Sequence, residues 1–291
     1  MKRYFSLFFL LCFILSGCAA PQPAAQIAAT TLPVYEFTTR LCENTGLSVI
    51  RLVTESVSCL HDYTLQVGQM RSIEAADLVI LSGAGLEEFL EDALDRSGAT
   101  IDASTGLELL CPDSDHHDHD DHGHHHESDP HIWLSPVNAA VMVQNISAGL
   151  IRQYPQFENV ILDNQINLLN DLSALDAYGK EQLKDLRCRE IITFHDGFDY
   201  LAEHYDLHIL RAVEEESGSE ASAAELIELI ELVRDRNLPA VFTETNGTDA
   251  AARIIRAETG AEIFELDMAM SGTGYFDAMY RNIDTLKEAL G

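Results

Sequence analysis

Basic residues are scarce in this chain: Lys and Arg number 18 against 48 Asp and Glu, for a formal net charge of -30. A nucleic acid is excluded as partner, because a polyanion would be repelled. The sequence contains no HExxH segment and no CxxC pair. The first absence removes the zinc-protease signature, and the second disfavours a cysteine-ligated metal site. The apolar run from Tyr4 to Leu15 is too short to span a bilayer stably. Preceded by Lys2 and Arg3, it reads as an export signal over residues 1–17.

That signal ends in Leu15-Ser16-Gly17-Cys18, which resembles a bacterial lipobox. The expectation is an extracytoplasmic monomer anchored to the cell membrane through acylated Cys18, since two or three acyl chains give stable attachment and one does not. Residues 18–28 read as a flexible tether without core-forming residues. Cys42, Cys59, Cys111 and Cys188 remain, an even number in an exported chain that permits three disulfide connectivities. The short loop favours Cys42 with Cys59, leaving Cys111 with Cys188. Reduced cysteines are the alternative.

What the chain has in abundance is histidine in one place. Residues 113–128 form a histidine-rich loop holding His116, His117, His119, His122, His124, His125 and His126, interleaved with carboxylates and without apolar periodicity. Such a run cannot pack a core. Neutral imidazole is the favoured nitrogen ligand for zinc, copper and nickel, so the loop is expected to recruit metal. Its bland alternative is a solvated acidic linker.

Around it the chain alternates strand and helix. Strands are expected at 47–54, 77–82 and near 108–110 in the first half, and at 190–194, 207–212, 239–243 and 262–266 in the second. The run from Phe157 to Leu186 keeps helical spacing through Ile161, Ile166, Leu169, Leu172 and Leu175. The fold class is therefore α/β: two lobes with parallel four-stranded sheets joined by a long rigid helix. The expected boundaries are 29–154 for the first lobe, 155–187 for the linking helix and 188–291 for the second lobe.

Open parallel sheets bind ligands beyond the carboxyl ends of their strands. That rule selects His61, His131, His195 and Asp267, two from each lobe, as a candidate tetrahedral shell with metal to nitrogen distances of about 2.0 to 2.1 Å. A ligating imidazole donates its other N–H to an acceptor, and Asp62, Asp129 and Asp196 lie near the three histidines in sequence. Glu244 is a further acceptor or an alternative ligand. His204 and His208 are expected to be structural.

Several segments carry a family resemblance: LHDYTLQ at 60–66, ADLVILSGAGLE at 76–87, DPHIWLSP at 129–136, FHDGFDYLAEHY at 194–205 and ETGAEIFELD at 258–267. With the histidine-rich loop before DPHIWLSP, the chain resembles the metal-binding substrate-binding proteins of bacterial ABC-class zinc and manganese uptake transporters, in their zinc-type branch. The resemblance implies one metal held between two lobes by His61, His131, His195 and Asp267, and delivery to an ABC permease. Manganese-type members generally carry glutamate where His195 stands, so Zn2+ is expected ahead of Mn2+ or Ni2+. Leu60 replaces the family's usual proline before the first histidine. The rivals are a manganese-type receptor, an adhesin or passive metal buffer built on the loop, and a zinc hydrolase using three histidines and water. With no general base evident, the chain is not expected to be an enzyme.

Overall fold

The computed structural model describes residues 26–54, 60, 63–94, 98–111, 128–213, 221–245, 247–272 and 274–291. His61, Asp62, Cys18, Cys59 and the seven histidines from His116 to His126 lie outside the described residues, as does the export signal.

The first half runs β1 (Ile27–Ala29), α1 (Leu32–Leu41), β2 (Val49–Arg51), α2 (Val67–Ala75), β3 (Leu78–Leu81), α3 (Glu91–Leu94), β4 (Ala99–Asp102) and α4 (Pro136–Gln153). After a short turn comes α5 (Glu158–Leu183). The second half runs β5 (Glu190–Thr193), α6 (Asp199–His204), β6 (His208–Ala212), α7 (Ala223–Arg236), β7 (Ala240–Glu244), α8 (Ala250–Thr259), β8 (Glu262–Leu266) and α9 (Tyr275–Leu290). Each half holds one four-stranded sheet, ordered β2-β1-β3-β4 and β6-β5-β7-β8, and all recorded pairings are parallel. The two lobes thus repeat one topology. In both, the chain leaves the central strand to one side and then crosses back to the other. The switch points lie between β1 and β3 and between β5 and β7.

Three expectations need correction. The tether does not extend to residue 28, because Ile27 and Ala28 are fully buried in β1. Alanine-rich sequence looks coreless in isolation, yet small side chains are what a central strand between covering helices can take. The fourth strand is Ala99–Asp102 rather than 108–110; it pairs with β3, and its single buried residue, Ile101, gives periodicity little to detect. Cys42, Cys111 and Cys188 are free thiols, so the expected Cys111 to Cys188 bridge is not formed and Cys42 is not in a disulfide. Burial pushes the Cys42 thiol up to about 12, so it behaves as a small apolar core residue.

The 26 residues of α5 span about 39 Å. Its inward stripe is Ile161, Leu168, Leu172, Leu175, Gly179 and Leu183, whereas Ile166 points outward and is exposed. Both lobes fasten to this helix. Asn164 Nδ2 donates to the carbonyls of Leu41 (3.0 Å) and Glu43 (2.9 Å) at the end of α1. From the second lobe, His204 Nε2 meets Asp176 Oδ1 at 2.6 Å. Gly179 is required where it stands, since a Cβ there would lie 2.3 Å from the Tyr205 hydroxyl.

At the first lobe's switch point, the buried Glu87 carboxylate accepts from Thr30 Oγ1 (2.6 Å), Ser82 N (2.7 Å) and Gly83 N (3.0 Å), tying the end of β1 to the end of β3. Desolvation pushes the Glu87 carboxyl from 4.5 up to about 7, outweighing those three hydrogen bonds. The folded chain therefore binds this proton more tightly than the unfolded chain. The resulting stability is fully present below the unfolded value and is lost as pH rises through the folded one. We predict that Glu87→Gln flattens the stability profile between about pH 4.5 and pH 7, removing a slope of at most ~1.4 kcal/mol per pH unit. Denaturant unfolding of both proteins across that window checks this; an unchanged slope would rule Glu87 out as its source.

Candidate metal centre

His195 and Glu244 face each other at the switch point of the second sheet. Thr193 pairs with Phe242, and two residues further along each strand come His195 and Glu244. In the first sheet Ala29 pairs with Ile80, and the same step reaches Thr31 and Ser82. The topologically equivalent pairs differ in chemistry. Thr31 Oγ1 and Ser82 Oγ share a buried hydrogen bond of 2.8 Å, whereas His195 Nδ1 lies 3.6 Å from Glu244 Oε2. One lobe closes its switch point with hydroxyls, and the other equips it with an imidazole and a carboxylate.

His131 approaches from the first lobe. It precedes a single 3-10 turn, Ile132–Leu134, and then α4, whose start is fixed by Pro136 at the first helical position and by the Ser135 hydroxyl accepting from Asn138 N. Asp129 Oδ1 accepts from His131 N at 2.9 Å and lies 2.7 Å from His131 Nδ1. With the proton on Nδ1, the Nε2 lone pair is left for a cation. The other oxygen, Asp129 Oδ2, is buried and has no hydrogen-bond partner among the described residues.

The rings of His131 and His195 meet edge to face with centroids 5.4 Å apart, and each residue is only 2% exposed. Two imidazoles from opposite lobes are thus buried side by side. Gly197 fits between His131 and Met268: a Cβ on it would lie 2.8 Å from both His131 Nδ1 and the Met268 methyl. Trp133 closes the floor. It is fully buried, and its Nε1 donates to the Met268 carbonyl at 2.8 Å. The Trp133 carbonyl accepts from the Tyr275 hydroxyl, also at 2.8 Å.

Asp267, expected beside the histidines, has both carboxylate oxygens engaged by other groups. Its Oδ1 accepts from Ala269 N and its Oδ2 from the Arg281 guanidinium, each at 2.8 Å. Its backbone is clasped by Asn282, which accepts from Asp267 N and donates to Asp267 O. Glu244 is the carboxylate placed against an imidazole. Asp196, expected to orient His195, is exposed. Among the described residues no group of three His, Cys, Asp or Glu is placed to hold a metal; His61 lies outside that set. Tyr200 and Trp133, which join the lobes here, were missed from sequence. Their only local signal is an aromatic within two to five residues of a candidate ligand.

The chain matches the family described as zinc-uptake complex component A, periplasmic, over residues 27–289. It is 30% identical to the zinc-binding lipoprotein AdcA of Streptococcus pneumoniae over 99% of its own length, and spans 61% of that relative. It is 29% identical to the high-affinity zinc uptake system protein ZnuA of Bacillus subtilis, over 91% of this chain and 87% of the relative. Among solved structures, the Zn(II)-bound ZnuA-like domain of S. pneumoniae AdcA superposes with a TM-score of 0.76 at 28% identity, covering 91% of this chain and 98% of that one. A crystal structure of ZnuA gives a TM-score of 0.79 at 26% identity, covering 92% of this chain and all of that one. Two repeated parallel lobes and a long helix accord with these likenesses, and the chain belongs to the family of periplasmic zinc-uptake component A proteins.

Proposed function

We propose that the chain is the extracytoplasmic zinc receptor of an ABC transporter, held at the membrane through Cys18, which captures Zn2+ between its lobes and passes it to a permease. The observation that carries this reading is the buried contact of His131 with His195 across the lobes. Two buried imidazoles favour a borderline ion such as zinc, while manganese prefers oxygen-rich shells. The AdcA and ZnuA relatives, named for zinc binding and zinc uptake, support the same ion.

In this reading His131 and His195 are ligands, His61 supplies the third imidazole, and the fourth position falls to Asp267, Glu244 or water. Glu244 Oε2 already lies 3.6 Å from His195 Nδ1, while each Asp267 oxygen accepts one hydrogen bond, from Ala269 N or Arg281, and keeps a lone pair for a metal. The residues around the site act as a receptor rather than a catalyst: they exclude water and fix ring orientation.

The loop histidines from His116 to His126 recruit metal and are dispensable for tight binding. Deleting residues 115–126 is expected to leave one tight zinc site and to remove weaker binding equivalents. Equilibrium dialysis with elemental analysis measures both. Loss of nearly all binding would establish the passive buffer instead, and tighter retention of Mn2+ than Zn2+ would establish the manganese-type receptor.

A further inference from the structure

The two ends of the histidine-rich segment are tied together and to the opposite lobe. Asp129 N donates to the Leu110 carbonyl at 2.8 Å. The Tyr200 hydroxyl, on α6 of the second lobe, accepts from Leu110 N at 2.9 Å and donates to the Asp129 carbonyl at 3.1 Å. Asp129 in turn holds His131 through both its backbone N–H and its ring. A continuous run of hydrogen bonds therefore leads from α6 to the imidazole. Tyr200 stands five residues after His195, so one short segment carries one candidate ligand and also grips the support of the other.

Packing alone does not account for the hydroxyl. Tyr200 is 3% exposed, and phenylalanine would fill the same space. Burial, joined by the nearby Asp129 and Glu203 charges, pushes its phenol up to about 12 even though it accepts from Leu110. The group therefore stays protonated and able to donate at neutral pH. It satisfies one backbone donor, Leu110 N, and one backbone acceptor, Asp129 O, where the flanks of the histidine-rich segment meet.

We propose that Tyr200 is a positioning residue for metal capture, bridging Leu110 and Asp129 across the lobes so that the His131 imidazole is held in place beside His195. The inference rests on the zinc-receptor reading above. Supporting groups behind metal-binding histidines change affinity by about 10 to 100-fold, and Tyr200 acts one step further back.

The test is a cycle of four proteins: parent, Tyr200→Phe, Asp129→Ala and the double variant. Zinc affinity is read by chelator competition, and the Co2+ absorption spectrum reports ligand geometry. All readings are taken well below each protein's unfolding midpoint, with circular dichroism confirming the fold. Tyr200→Phe is expected to weaken zinc about tenfold in the parent and to shift the Co2+ bands. It should have little effect once Asp129 is alanine, because the hydroxyl still bonds the residue 129 carbonyl but the carboxylate through which it acts on His131 is gone. Parent-like affinity and spectrum in Tyr200→Phe would overturn the inference alone. An equal loss in the Asp129→Ala background would also overturn it, since Tyr200 would then act by another route. A parent chain that takes up no zinc would overturn the receptor reading, and this inference with it.

Discussion

His131→Ala is expected to weaken zinc binding by about 100-fold or more, equivalent to roughly 2.7 kcal/mol. The alanine protein should remain folded, because α4 is capped by Ser135 and Pro136 rather than by His131. The magnitude follows from burial. His131 is 2% exposed and its Nδ1 is committed to Asp129, so no solvent-exposed donor stands ready to replace its Nε2 beside His195. Losing a direct ligand should exceed the 10 to 100-fold cost of losing a ligand's support. Competition calorimetry against a chelator of known affinity gives the number. Zinc bound as tightly by His131→Ala as by the parent would remove His131 from the site.

Trp133→Ala is expected to cost about 3 to 5 kcal/mol of stability, lowering the unfolding midpoint by about 10 °C for a chain of this size. Trp133 is among the largest fully buried side chains and lies where the lobes meet. Truncation removes its donor to the Met268 carbonyl as well as its volume. The Tyr275 hydroxyl still has its acceptor, the Trp133 backbone carbonyl. Phe37 and Tyr275 stack edge to face at 4.9 Å on the neighbouring surface, and Tyr275 N donates to Glu36 at 2.6 Å, so the cavity opens in the seam between lobes. A midpoint within about 2 °C of the parent in scanning calorimetry would mean the seam repacks without cost.

Strand and helix alternation was legible because it is local. The runs Asp77 to Ser82 and Glu190 to Phe194 contain the buried strands β3 and β5 within a residue or two, and the breaker-free stretch after Phe157 marks α5. Candidate ligands were legible because parallel sheets bind beyond their strand ends, and that places His195 by position alone. Where sequence reasoning failed, the deciding contact was distant. Ile166 has helical spacing, yet α4, α1 and α9 pack against other faces of α5. Ala28 looks like linker until β2 and β3 pair on either side of it.

The sequence by itself determined the class of protein: acidic, built as two parallel lobes, and rich in histidine. Those properties follow from composition and short-range periodicity, which each segment carries alone. Only the tertiary structure decided that Glu244 rather than Asp267 lies against an imidazole, that Arg281 holds Asp267, and that Tyr200 and Trp133 stitch the lobes beside His131. Each of these depends on residues far apart in the chain becoming neighbours when the sheets pair and pack, and no local pattern records which distant partner a side chain will meet.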